Sequence, residues 1–139
     1  KKRLYRSIHA KIGNQRLDFL HKESTNIVKN HGLIVVGNVS SSKLAKTRMA
    51  KSVLDAGWSS FREMLAYKSD CAGARYIEVN EAFTTQTCSS CGAIGGPKGR
   101  EGLSIREWEC ACGSVHDRDV NAALNILRIG HDTLRGAAQ

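Results

Sequence analysis

Four of the five cysteines fall in two pairs, and this constrains the chain more than any other feature. Cys88 and Cys91 stand in Thr84-Thr85-Gln86-Thr87-Cys88-Ser89-Ser90-Cys91-Gly92, and after a longer insert the second pair stands in Cys110-Ala111-Cys112-Gly113. A pair on a knuckle that ends in glycine presents both thiolates to one tetrahedral ion, and the second pair completes a four-cysteine set, as in a structural zinc ribbon. The second pair is tighter than the usual Cys-x-x-Cys. Either its knuckle is distorted and all four thiolates serve, the favoured reading, or His116 replaces one of them. Polar Ser89 and Ser90 and the adjoining glycines make a poor core, which argues against merely packed thiols. Nothing marks the chain as secreted, which argues against disulfides. Cys71 lies outside the pattern and reads as a packed or half-exposed thiol without a role.

A metal-held insertion needs a host. With 139 residues, 41% of them hydrophobic, the chain can build one modest core around it. Lys and Arg number 21 against 13 Asp and Glu, a formal charge of +8, and the pI is near 9.5. Such an excess suits a polyanionic partner, nucleic acid first. The sequence has no apolar run of membrane-spanning length and no signal-like opening, so no membrane is expected and a cytoplasmic setting is.

From Lys1 to about Asn30, apolar Leu4, Ile8, Ile12, Phe19, Leu20, Ile27 and Val28 recur at helical spacing among basic residues, which predicts a long amphipathic helix. Arg6, Lys11 and Arg16 on its polar face are candidate phosphate contacts. Leu33-Ile34-Val35-Val36 reads as a buried strand that wants a parallel neighbour. The basic stretch from Ser40 to Arg48, with Lys43, Lys46 and Arg48, reads as a nucleic-acid-binding loop. A helix is expected from about Met49 to Ser69, closed by Gly73, and a strand over Arg75–Asn80. Leu103–Glu109 alternates as a hairpin strand would. The last helix, from about Arg118 to Ile129, is expected to bury Val120, Ala123, Leu124 and Ile126 or Leu127, to stop at Gly130 and to leave a frayed tail. The order helix, strand, helix, strand gives an α/β class with a right-handed crossover.

The stretch Thr84–Gly92, the second cysteine pair and Asp117-Arg118-Asp119-Val120-Asn121-Ala122-Ala123-Leu124-Asn125-Ile126 together resemble the C-terminal part of the TnpB (OrfB) transposon proteins, relatives of the type V CRISPR effectors. The resemblance covers nearly the whole chain. It implies a partial RNase H-like, RuvC-type nuclease fold, divided as residues 1–83 for the core, 84–116 for the zinc ribbon and 117–139 for the final helix and tail. It also implies guide RNA and DNA as partners, and magnesium or manganese at a carboxylate cluster beside the structural zinc on Cys88, Cys91, Cys110 and Cys112. The family's acid after the ribbon maps to Asp119, while Asp117 suits a helix N-cap. The glutamate that usually follows the first strand is replaced by Gly37, and Glu81, at the carboxyl end of the neighbouring strand, is the acid placed to stand in for it. The family's first acid lies on an earlier strand. Its absence here, with no initiator Met, leads to the expectation of an N-terminal portion upstream of Lys1.

Two other functions compete. Loss of the glutamate suits a nuclease-inactive RNA- or DNA-binding protein on the same scaffold. A zinc-ribbon interaction module without nucleic acid fits the +8 charge least well.

Overall fold

The computed structural model describes residues 2–38, 57–99 and 101–137. Among them α1 spans Lys2–Asn30, β1 Leu33–Gly37, α2 Trp58–Ala72 and β2 Arg75–Val79. A single 3-10 turn, Glu101–Ser104, then precedes β3 (Glu107–Glu109), β4 (Val115–Asp117) and α3 (Arg118–Gly136). The expected α/β order is present. The chain divides into two compact units, residues 1–34 with 40–76 and residues 35–39 with 77–139.

In the first unit α1 packs along α2. Expected burial along α1 holds only for its second half: Val28 is buried and Leu20 and Ile27 are partly so, whereas Leu4, Ile8, Ile12 and Phe19 are exposed. Ser24, not an apolar residue, is the most deeply buried side chain of α1, at 0% exposure. Its hydroxyl donates to Leu20 O at 2.6 Å and accepts from Lys68 Nζ at 2.7 Å. The same ammonium donates to His21 O and Thr25 Oγ1, both at 2.7 Å, so its three protons are all used on α1. Gly73, with φ 71°, closes α2 in the left-handed conformation that glycine adopts without strain. Residues 49–56 of the predicted second helix, and the basic loop with Lys43, Lys46 and Arg48, lie outside the described residues.

β1 and β2 form a two-stranded sheet. Arg75 N donates to Gly32 O and Asn38 N to Val79 O, so the two strands run in the same direction, as the apolar β1 run predicted. β3 and β4 pair antiparallel, Glu107 opposite Asp117 and Trp108 opposite His116. The hairpin strand is thus shorter than Leu103–Glu109, because the 3-10 turn occupies its start.

The last helix departs most from expectation. It continues to Gly136 rather than stopping at Gly130. Its buried residues are Asn121, Asn125 and Gly130, while Val120, Leu124 and Leu127 are exposed at 59%, 50% and 41%. Gly130 is buried because the helix backbone lies against Val35: a Cβ there would overlap Val35 Cγ2 and come within 2.7 Å of Cγ1. Gly130→Ala would gain helix propensity but force this contact apart, for a net loss of about 1–2 kcal/mol by urea denaturation. Val35→Ala in the same chain should recover most of it.

Candidate metal centre and carboxylates

Both cysteine pairs sit on tight turns whose glycines follow the sulfurs with left-handed backbone, Gly92 at φ 79° and Gly113 at φ 86°. In the first, Gly92 N donates to Cys88 O and Cys88 N to Ala93 O; in the second, Gly113 N donates to Cys110 O and Cys110 N to Ser114 O. The four Sγ atoms lie within 4.8 Å of one another. Cys88 and Cys112 are 3.8 Å apart and Cys91 and Cys110 3.7 Å. Four thiolates at ~2.3 Å around a tetrahedral ion stand ~3.8 Å apart, far beyond disulfide length, so the set fits a single ion. Cys112 belongs to it despite the tight spacing. His116 does not displace a thiolate: its Nε2 is 3.0 Å from Cys88 Sγ, and its ring lies against Trp108 at 5.0 Å. Cys71 is exposed and free.

The sulfurs differ electrically. Burial pushes the Cys88 thiol up, but hydrogen bonds from the Cys91 amide, His116 and the Ser90 amide outweigh it and bring it down to about 5. The Cys112 amide pulls Cys110 down, yet burial and contact with the other three sulfurs push it up to about 12.

The ribbon is tied to α3 by side chains the cysteine pattern does not signal. Asn121 Nδ2 donates to Thr87 O at 2.8 Å and Thr84 O at 3.3 Å, and Asn125 Nδ2 to the same carbonyls at 2.6 and 2.9 Å. Asn121 Oδ1 accepts from Ser89 N at 2.8 Å. The sequence signal that points to them is two amides one helical turn apart in the otherwise apolar run from Val120 to Leu127.

Asp117 caps α3: its Oδ1 accepts from the Asp119 and Val120 amides, both at 2.9 Å. The Val120 amide, more than the opposing burial, holds its carboxyl below the ordinary range, helped by the Asp119 amide, Arg106 and Arg118. Asp119 follows in the first turn, exposed, with Oδ1 3.0 Å from Arg118 Nε and Oδ2 3.3 Å from Arg106 Nη1. Arg118 is itself fixed by donating to Leu103 O at 2.7 Å.

Glu81 lies just beyond β2, partly buried, and burial pushes its carboxyl above the usual carboxylate range. It fills the space over Gly37. A Cβ built at position 37 would overlap Glu81 Oε2 and stand 2.9 Å from its Cβ and 3.0 Å from its Cδ. Among the described residues, the four cysteines are the one group of three or more ligand atoms close enough to share an ion, and neither Asp119 nor Glu81 enters such a group. Arg6, Lys11 and Arg16 are exposed on α1.

One divalent ion per chain is expected by elemental analysis, and Cys88→Ser or Cys110→Ser should abolish it and unfold residues 84–116 while most helical circular dichroism remains. Asp117→Ala should lower the thermal midpoint at neutral pH. Because the folded carboxyl titrates below its ordinary value of 3.8, its contribution is complete above that value and is lost as the pH falls through the lower, folded value. The gap between wild type and Asp117→Ala should therefore close below that pH.

Residues 58–126 match the Cas12f1-like, TNB domain family. A protein of Streptomyces pristinaespiralis with the provisional name RNA-guided DNA endonuclease is 40% identical, over 88% of this chain and 30% of its own length. InsQ of Escherichia coli K12, provisionally named in the same way, is 34% identical over 96% of this chain and 37% of its own length. TnpB-like protein L79 of Acanthamoeba polyphaga mimivirus is 33% identical over 94% of this chain and 26% of its own. The chain thus spans roughly a third of the length of these relatives. In the cryo-EM structure of the Cas12f1-sgRNA-target DNA complex, one chain shares the fold with a TM-score of 0.67 at 20% identity, over 85% of this chain and 35% of that one. The chain belongs to the TnpB family, among the relatives of the type V CRISPR effectors.

Proposed function

We propose that this chain is the C-terminal portion of a transposon-encoded, RNA-guided DNA endonuclease, with a RuvC-type, RNase H-like core over residues 1–83 and 117–139 and a four-cysteine zinc ribbon over 84–116. Glu81 supplies the acid that Gly37 lacks. The observation that carries this is the overlap of the Glu81 carboxylate with the place where a side chain at 37 would begin. A carboxylate missing from the end of β1 is thereby replaced from the segment after the adjacent strand.

Divalent magnesium or manganese at such a site polarises the phosphodiester and lowers the pKa of the attacking water. The chain's own part is to present carboxylates. The Arg106–Asp119 pair, with side chains 74% and 59% exposed, is worth ~0–1 kcal/mol and yields to a better partner. A cation beside Glu81 favours its ionised form, against the effect of burial. Arg6, Lys11 and Arg16, with Lys43, Lys46 and Arg48, contact the guide RNA or DNA backbone.

The test uses a longer chain that also carries the proposed upstream portion. Glu81→Ala and Asp119→Ala should each reduce cleavage to background, with DNA binding retained. Gly37→Glu alone should fail by collision with Glu81, whereas the exchange Gly37→Glu with Glu81→Gly should restore cleavage, since Glu81→Ala would keep the Cβ that lies 2.9 Å away. Wild-type cleavage by Glu81→Ala removes that residue from the site. Absence of cleavage by the longer wild-type chain with Mg²⁺ or Mn²⁺ establishes the second reading, a nuclease-inactive nucleic-acid-binding protein, which Gly37 itself favours.

Binding should be largely electrostatic. Reversing Arg6, Lys11 or Arg16 to Glu should lower affinity for any sequence and reduce the log-log salt slope by about 1 each. Salt-independent binding would point to the interaction module.

A further inference from the structure

We propose that Asn121 and Asn125 are positioning residues that join the metal knuckle to the first turns of α3, so that metal occupancy of the ribbon sets the register of the helix that carries Asp119. Both amides are 1% exposed. An amide so placed costs stability unless its polar atoms are paired, and here the pairing is asymmetric. Thr84 O and Thr87 O each accept from both residues. Only Asn121 reaches the knuckle itself, where its Oδ1 takes the Ser89 amide next to Cys88. The Ser89 amide is thus held by the helix, one residue from the first cysteine of the knuckle. Asn125 Oδ1 has no partner among the described atoms. Its amide therefore acts on residues 84–87 alone.

The knuckle cannot open without releasing Asn121, and Asn121 cannot move without freeing Ser89 N. Asp119 lies two residues before it, in the turn that Asp117 caps. By reciprocity, whatever Asn121 contributes to metal binding, the metal contributes to ordering that turn. The importance of this for Asp119 rests on the nuclease reading above; the coupling does not, and its readouts involve no cleavage.

Cobalt(II) titration, followed by thiolate charge-transfer absorption and in competition with Zn²⁺, measures the first half. Asn121→Ala should weaken binding about 10–100-fold, the scale of lost outer-shell support, and Asn125→Ala by less. Gly130→Ala, which loosens the same helix away from the knuckle, is the control for general destabilisation and should leave the affinity nearly unchanged. Hydrogen exchange on the wild type measures the second half without any variant: chelation should speed exchange at Ser89 and over Asn121–Asn125 while α1 and α2 keep their protection. Equal metal affinities for Asn121→Ala and Gly130→Ala would overturn the proposal, as would a chelated wild type with unchanged protection in α3.

Discussion

Four sulfurs held within 4.8 Å are a standing electrostatic problem, and the second unit is arranged around its solution. Without a cation the cluster tolerates negative charge unequally, with Cys88 drawn down to about 5 and Cys110 pushed up to about 12. Like charges at 3.7–3.8 Å repel. A divalent ion reverses the sign of the interaction at every sulfur. The ribbon's apolar core is small: its buried hydrophobic cluster is Cys88, Trp108 and Cys110, and its β3–β4 ladder spans three residues on each strand. A segment of this size would draw folding free energy from a metal bound there. What it then offers α3 is a set of fixed backbone groups, Thr84 O, Thr87 O and Ser89 N.

That dependence explains which parts of the molecule the sequence made legible. The knuckles were readable because the chemistry is local: cysteine spacing and a following glycine that takes positive φ specify the turn with no outside information. Asp117 as a cap was readable for the same reason, since the amides it accepts from lie within three residues. The buried face of α3 was not. Periodicity ranks Val120 and Leu124 above Asn121 and Asn125, and that ranking holds only where the opposite surface is apolar. Here the surface is a strip of backbone carbonyls from another part of the chain, so the amides turn inward and the aliphatic side chains outward. Gly130 misled in a related way. Near a helix end glycine usually reads as a stop, but Val35 requires a backbone without Cβ at that point, and the helix continues through it.

Helix α1 shows the same limit from the other side. Its apolar spacing correctly specified a helix, but spacing cannot say what covers a stripe: Leu4, Ile8 and Ile12 are 67%, 51% and 40% exposed, and burial begins near Leu20, where α2 runs alongside. The deepest position there is a serine, because Lys68 arrives with three protons to place and finds a hydroxyl, a second hydroxyl and a carbonyl on one face of α1. Such a contact is invisible to hydropathy, which scores each residue alone.

The two carboxylates meet different constraints, and the difference bears on how an active site can be rearranged. Asp119 is fixed through its backbone: the Asp117 cap, two residues earlier, sets the helix start, and the surface arginines that pair with its side chain hold it weakly. Glu81 is fixed through its side chain, which occupies volume that exists only because residue 37 is glycine. The two positions therefore exclude one another. A chain with a side chain at 37 has no room for this Glu81 conformer, and a chain with Glu81 folded over β1 cannot accept even an alanine at 37 without a shift. Moving an acid between neighbouring strands thus requires paired changes, since the acid cannot enter at one position until the other has lost its Cβ. Gly37 and Glu81 have the geometry that such an exchange requires.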